Sequence, residues 1–324
     1  MNKDDLDKHF WIMHCVLETK ITKADAEILE ERVKNNQYDK EARALLLGYY
    51  SRRTRPTKAD SIKRNKHVLW VLEYAPDCGL GLTPFLYISK SKHPEDFEKA
   101  KKLLLKQCEN FKHDPVVLTD LSAVMRFEEP EIAITLLRQA HRALPQGSTT
   151  AFILASTLYA LGRQNNDREA LNESVEFMQK VVEANEPTPL FDQRTWLVIF
   201  AFDAGRHALA STTCSQMLKD NAINNQSVHV AHIVLGRLAL KDKDMSKAIE
   251  HLKLAGKVGS SPRLSSYGPM MSLAQSLLEA GQKDAVIEYL TDCKSFWSMG
   301  RRNLAKWIGQ IHAGELPILV GDDK

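Results

Sequence analysis

At 324 residues the chain exceeds what one globular core usually encloses, so it must divide into domains or run as an elongated array. Hydrophobic residues at 44% and charged residues at 26% are ordinary for a folded soluble protein, and 44 Lys and Arg against 41 Asp and Glu leave a formal charge of only +3. That near-balance excludes the global basic field of a dedicated nucleic-acid or membrane-surface binder.

The start of the chain is acidic, and its apolar stretch Phe10 to Leu17 is short and contains His14 and Cys15. A signal peptide needs a basic flank and a longer apolar core, so none is expected. Nowhere is there an apolar run of about eighteen residues, so no membrane-spanning helix is expected either. Leu47 and Gly48 open one predicted helix, and Val68, Val71 and Pro76 mark its partner. Between and across them runs a basic segment, Arg52, Arg53, Arg55, Lys58, Lys63, Arg64 and Lys66, opposed only by Asp60. Such a run fits an anionic partner (RNA, DNA or an acidic protein surface), but a solvated loop and helix start accounts for it equally and is the commoner case. It lacks the interleaved aromatics that stack on bases. Ala100 and Leu104 follow on a further helix.

From Pro115 onward the apolar residues fall into a repeating register. Leu121, Ser122 and Met125 are followed by Ala133, Leu137 and Ala140, with Pro145 closing the unit. Leu154, Ala155, Leu158 and Gly162 precede Ser174, Met178 and Val181, with about seven extra residues around Gln164 to Ala170. Leu197, Val198 and Ala201, a turn at Gly205, then Ala210, Cys214 and Met217 form the next unit. Leu235, Gly236 and Ala239 lead to Ala248, Leu252 and Ala255, and Leu273, Ala274, Leu277 and Gly281 lead to Val286, Leu290 and Cys293. Counted from Val198, Gly236 and Ala274, the second helix repeats at +12, +16 and +19, and each unit starts 38 residues after the last. Small residues at the seam let two helices approach closely, larger ones a turn away fill it, and each pair leaves an apolar flank for the next. The stretch Asn303 to Ala313, with Trp307, Ile308 and Ile311 on one stripe and Gly314 at its end, reads as a capping helix.

This pattern, from about Pro115 to Phe296, resembles the tetratricopeptide repeat family. The resemblance implies an all-α, right-handed superhelical solenoid of stacked antiparallel helix pairs. Residues 1–113 would be degenerate hairpins or a cap, 114–300 the repeat array, and 301–324 a capping helix and tail. Units of 38 residues and the missing early aromatic of the first helix, with His232 at its place in one unit, depart from the family's usual form.

The family's concave face is lined by first-helix residues three before, one after and four after the small residue. These are Phe152, Ser156 and Tyr159; Thr195, Ile199 and Phe202; Ile233, Arg237 and Leu240; and Met271, Gln275 and Leu278. The partner-binding set expected is Phe152, Tyr159, Ile199, Phe202, Ile233, Arg237, Leu240 and Met271, a mostly apolar groove for an extended or helical peptide of another protein. A different curvature would instead pack several of these between helix pairs. Arg237 alone does not make the carboxylate clamp that some members of the family carry.

His229, His232, Glu250 and His251 sit on neighbouring helices, but no spacing fixes a set of metal ligands, and packed histidines are expected. There is no phosphate-cradling Gly-rich loop, metalloprotease motif or nucleophile elbow, so neither cofactor nor catalysis is expected. The five cysteines, Cys15, Cys78, Cys108, Cys214 and Cys293, have no paired spacing and fit reduced thiols of a cytoplasmic chain. The functional expectation is a scaffold or adaptor. A nucleic-acid-associated regulator using residues 52–66, or a helical regulatory subunit of an enzyme, are the alternatives.

Overall fold

The computed structural model describes residues 10–17, 20–184 and 192–322. Among them the regular structure is entirely helical, and the chain forms two compact units, Met1–Gln164 and Asn165–Lys324.

In the N-terminal unit a π-helical turn, Met13–Leu17, is followed by α1 (Lys23–Asn35), α2 (Lys40–Ser51), α3 (Lys58–Tyr74), a 3-10 turn at Pro84–Leu86, α4 (Pro94–Asn110), α5 (Pro115–Met125), α6 (Pro130–Ala143) and α7 (Ser148–Asn165). Local chemistry sets the starts. Thr22 with Asp25 and Thr57 with Asp60 form reciprocal capping boxes on α1 and α3, and Pro94, Pro115 and Pro130 sit in first turns that need no amide hydrogen bond. Each of α1 to α5 packs on the next, and the π-turn packs on α2. Gly48 permits that last contact, since a β-carbon there would lie 2.6 Å from the Cys15 carbonyl oxygen. Beneath α1 to α3 lies a buried polar network. Tyr50 Oη donates to Glu30 at 2.7 Å, the His67 Nε2 is 3.5 Å from the same oxygen, and the Arg43 guanidinium stacks 4.5 Å from the Trp70 ring centre. Burial raises the Glu30 pKa, but hydrogen bonds from His67 and Tyr50 outweigh it and hold the carboxyl at about 2.

The C-terminal unit comprises α8 (Arg168–Ala184), α9 (Gln193–Asp203), α10 (His207–Met217), α11 (Asn225–Lys241), α12 (Met245–Gly256), the short α13 (Pro262–Ser266), α14 (Ser272–Glu279), α15 (Lys283–Cys293) and α16 (Arg301–His312). Consecutive helices α8 to α12 pack pairwise, α14 lies on α11, α12 and α15, and α16 covers α15. The seam positions are closed: Val198, Ala274, Ala210, Ala248 and Val286 are fully buried, as are Cys214, Leu252, Leu290, Met217, Ala255 and Cys293.

Four features differ from the sequence-based expectation. The left-handed turn residue is glycine at Gly205 and Gly281, but Lys243 takes φ 62° at the same offset in the unit that lacks one. The extra residues after Gly162 enter helix, because α7 continues to Asn165, Asn166 (φ 54°) makes the turn, and α8 starts at Arg168. In α16 the buried stripe is Leu304, Trp307 and Ile311, with Ile308 only half-buried. After α16 the chain has no regular secondary structure from Glu315 to Val320 and folds back on its own unit, a segment the periodicity did not signal.

Candidate partner-binding face

The predicted lining positions divide by burial. Phe152 and Tyr159, on α7 of the N-terminal unit, are half-buried, and Arg163 lies 5.8 Å from the Tyr159 ring centre. In the C-terminal unit Ile199, Arg237 and Leu240 are half-buried. Ile233, at 0% exposure, is a core residue, which corrects its assignment to an open lining, and Met271, at 1%, is not open either, because Gly321 lies against it. Phe202 is also covered, by the Arg237 guanidinium 4.0 Å from its ring centre. Thr195 is buried with its hydroxyl 2.7 Å from that of Ser227, and Leu278 is buried as well.

What gathers in the C-terminal unit is a patch that the register count did not find. Arg263, on α13, lies 5.4 Å from the ring centre of Trp196 on α9 and 5.5 Å from that of Tyr267, itself 68% exposed. The extended segment 315–322 joins this patch. Arg263 Nε and Nη2 donate to Asp322 at 2.6 and 3.0 Å, the Asp322 amide donates to the Pro269 carbonyl at 3.1 Å, and the Leu319 amide donates to Gln275 Oε1 at 2.9 Å. Pro317 and Leu319 point in and are buried, while Leu316, Ile318 and Val320 point out and are exposed. The two-residue alternation is that of an extended chain laid on a surface. Gln275, a predicted lining position, thus already hydrogen-bonds an extended peptide backbone.

The loop that receives the segment is held from beneath. His229 is fully buried. Its Nδ1 is 3.0 Å from the Ala255 carbonyl oxygen and its Nε2 is 3.0 Å from the Met270 amide nitrogen. A carbonyl only accepts and an amide only donates, so the proton sits on Nδ1 and the ring is neutral. Tyr289 Oη donates to the Met270 carbonyl at 2.8 Å, so both backbone groups of Met270 are pinned beside Pro269 and Met271. With both nitrogens engaged, His229 has none to offer a metal, and the described residues contain no group of three potential ligands.

His232 and His251 instead face each other, Nδ1 to Nδ1, at 3.1 Å. Burial first, then the neighbouring His251, lowers the His232 pKa to about 4, and burial lowers that of His251. The folded protein therefore binds fewer protons than the unfolded one between about pH 6.5 and 4, and stability falls as pH falls through that window. After allowance for partial solvent access, the loss should be about 1–2 kcal/mol. Melting curves at pH 7 and pH 5 should show it, and His232→Asn should flatten the difference. Equal pH dependence in the two proteins would mean the pair is not what titrates.

The seven basic residues of 52–66 do not form one surface. Arg64 donates to Ser51 Oγ at 3.0 Å and to the Pro84 and Phe85 carbonyls at 3.1 and 2.9 Å, and burial lowers its pKa to about 10. Arg52 donates to the Cys15 carbonyl, and Arg53 pairs with Asp60 at 3.1 Å. Arg55, Lys58, Lys63 and Lys66 are exposed. Three of the seven cations are thus engaged within the fold and only partly exposed, and the other four face solvent. Elsewhere in the same unit a half-open, mainly apolar hollow of about 310 Å³ lies between the Gly81–Tyr87 turn and the end of α5. Its one cation, Arg126, stacks 4.5 Å from the ring centre of Phe127, which is 69% exposed. All five cysteines are buried, and burial raises every thiol pKa, to about 12 for Cys15, Cys108 and Cys214.

No known protein-family profile matches the chain, and no curated protein is significantly similar to it. Its interpretation therefore rests on geometry. Among the described residues no helix is long and apolar enough to cross a membrane.

Proposed function

We propose that this protein is a helical-repeat adaptor of the tetratricopeptide type, a right-handed solenoid acting in the cytoplasm, that binds a peptide of another protein and performs no chemistry itself. The observation that carries the reading is the extended segment 315–322 on the C-terminal unit, held by backbone and side-chain bonds at Pro269, Gln275 and Arg263. A face that takes one extended apolar peptide has the donors, acceptors and apolar pockets to take another. Trp196 and Tyr267 beside Arg263 supply aromatic anchors of the kind that dominate binding energy.

Selection of displayed random peptides on the full-length protein should enrich apolar sequences. Their affinity should fall about thirtyfold or more in Trp196→Ala, at unchanged melting temperature, since anchor truncation typically costs about 2 kcal/mol. Raising salt from about 0.05 to 0.5 M should change that affinity little, whereas a nucleic-acid complex on residues 52–66 would weaken steeply. Enrichment that ignores Trp196, or affinity that collapses with salt, would count against the apolar face.

A further inference from the structure

The segment 315–322 is seated, but it is not seated as a permanent cap would be. Its inward residues, Pro317 and Leu319, are buried, yet Leu316, Ile318 and Val320 remain 58%, 73% and 39% exposed. A closing strap in water ordinarily turns polar side chains outward, so three exposed apolar residues in alternation are out of place. The backbone attachments are few, one amide to Gln275 and one to Pro269, and the ion pair between Arg263 and Asp322 is partly open to water.

The seat nevertheless discriminates. Gly321 sits where a β-carbon would lie 1.9 Å from the Pro269 carbonyl oxygen and 3.0 Å from Met271 Cγ, so only glycine fits. Asp322 follows directly and meets the Arg263 fork with two parallel bonds at 2.6 and 3.0 Å. Two residues before the glycine, Leu319 is buried against the unit, and Pro317 is buried two before that.

We propose that the surface formed by Arg263, Pro269, Met271 and Gln275 is a sequence-selective peptide site. Its partner is an extended segment of the form Pro-x-Leu-x-Gly-Asp, and residues 317–322 are a resident competitor that a partner carrying the same pattern displaces. The proposal rests on the peptide-binding reading above and adds the ligand's sequence and its regulation by self-occupancy.

Gly321→Val in the full chain should evict the segment, because a β-carbon there collides with the Pro269 carbonyl oxygen. A fluorescently labelled peptide with the sequence of Glu315–Asp322 should bind that variant at least about tenfold tighter than it binds the unsubstituted chain. The same peptide carrying Asp322→Lys should bind the variant at least about tenfold more weakly, and one carrying Gly321→Val should not bind. If Gly321→Val unfolds, the double variant Leu319→Ser with Asp322→Lys serves as the released form. Equal peptide affinity for released and unsubstituted chains, or no binding to the released chain, overturns the proposal. A concentration-dependent dimer that Gly321→Val abolishes would make the occupant a second copy exchanging its segment, and would overturn the assignment to a partner peptide. Displayed peptides enriched on the released chain without the Pro-x-Leu-x-Gly-Asp pattern would sink the sequence rule while leaving peptide binding intact. Failure to enrich any would sink both.

Discussion

Gly236→Leu should destabilise the C-terminal unit by about 3 kcal/mol, the upper range for forcing bulk into a closed seam. Gly236 is buried in α11, where a β-carbon alone would lie 2.3 Å from Leu273 Cδ2 and 3.2 Å from His251 Cβ. Leu273 is fully buried on α14, which packs on α11, so a leucine side chain at 236 has to displace it within a closely packed seam. Gly309→Ala is the matching control. A β-carbon there meets nothing within 4 Å, and alanine in an exposed helical position should stabilise by about 0.5–1 kcal/mol. Denaturant unfolding of the two variants should move the midpoint in opposite directions. An unmoved midpoint for Gly236→Leu would mean that the seam yields where close packing says it cannot.

His229→Leu should cost about 2–5 kcal/mol. Leucine fills much of the volume but leaves the Ala255 carbonyl and the Met270 amide without the partner each now has, and a buried group stripped of its hydrogen bond costs about 1–3 kcal/mol. The effect should also reach the surface. Met270 is flanked by Pro269 and Met271, the residues against which Gly321 and Asp322 rest, so loosening its backbone loosens the seat of the 315–322 segment. Hydrogen exchange should show faster exchange at the Met270, Leu319 and Asp322 amides in the variant. Loss of global stability without faster exchange at Leu319 and Asp322 would disconnect the histidine from the face it underlies.

The pairing of helices was legible because it is written locally. Offsets of +12, +16 and +19 from Val198, Gly236 and Ala274 place residues on one side of a second helix, and every residue so marked is buried. Glycine at 205 and 281 and the threonine and proline starts of α1, α3, α4, α5 and α6 are likewise decided within a few residues of chain. The face available to a partner was not legible in the same way. Periodicity marks an apolar stripe on a helix but does not say which neighbour covers it. Ile233 and Met271 stand at offsets that the count placed in the open, and packing closes over them. The basic run gave seven cations in fifteen residues, but Arg64 is drawn to carbonyls about twenty residues away at Pro84 and Phe85, so proximity in sequence did not make one surface. Nor could any local rule have joined Arg263 to Asp322, 59 residues apart, or stood Trp196 beside them. Helix register depends on hydrogen bonds and side-chain spacing within a turn or two, so the sequence alone determined it. The binding face depends on which surfaces remain after distant segments have packed, and only the tertiary structure decided that.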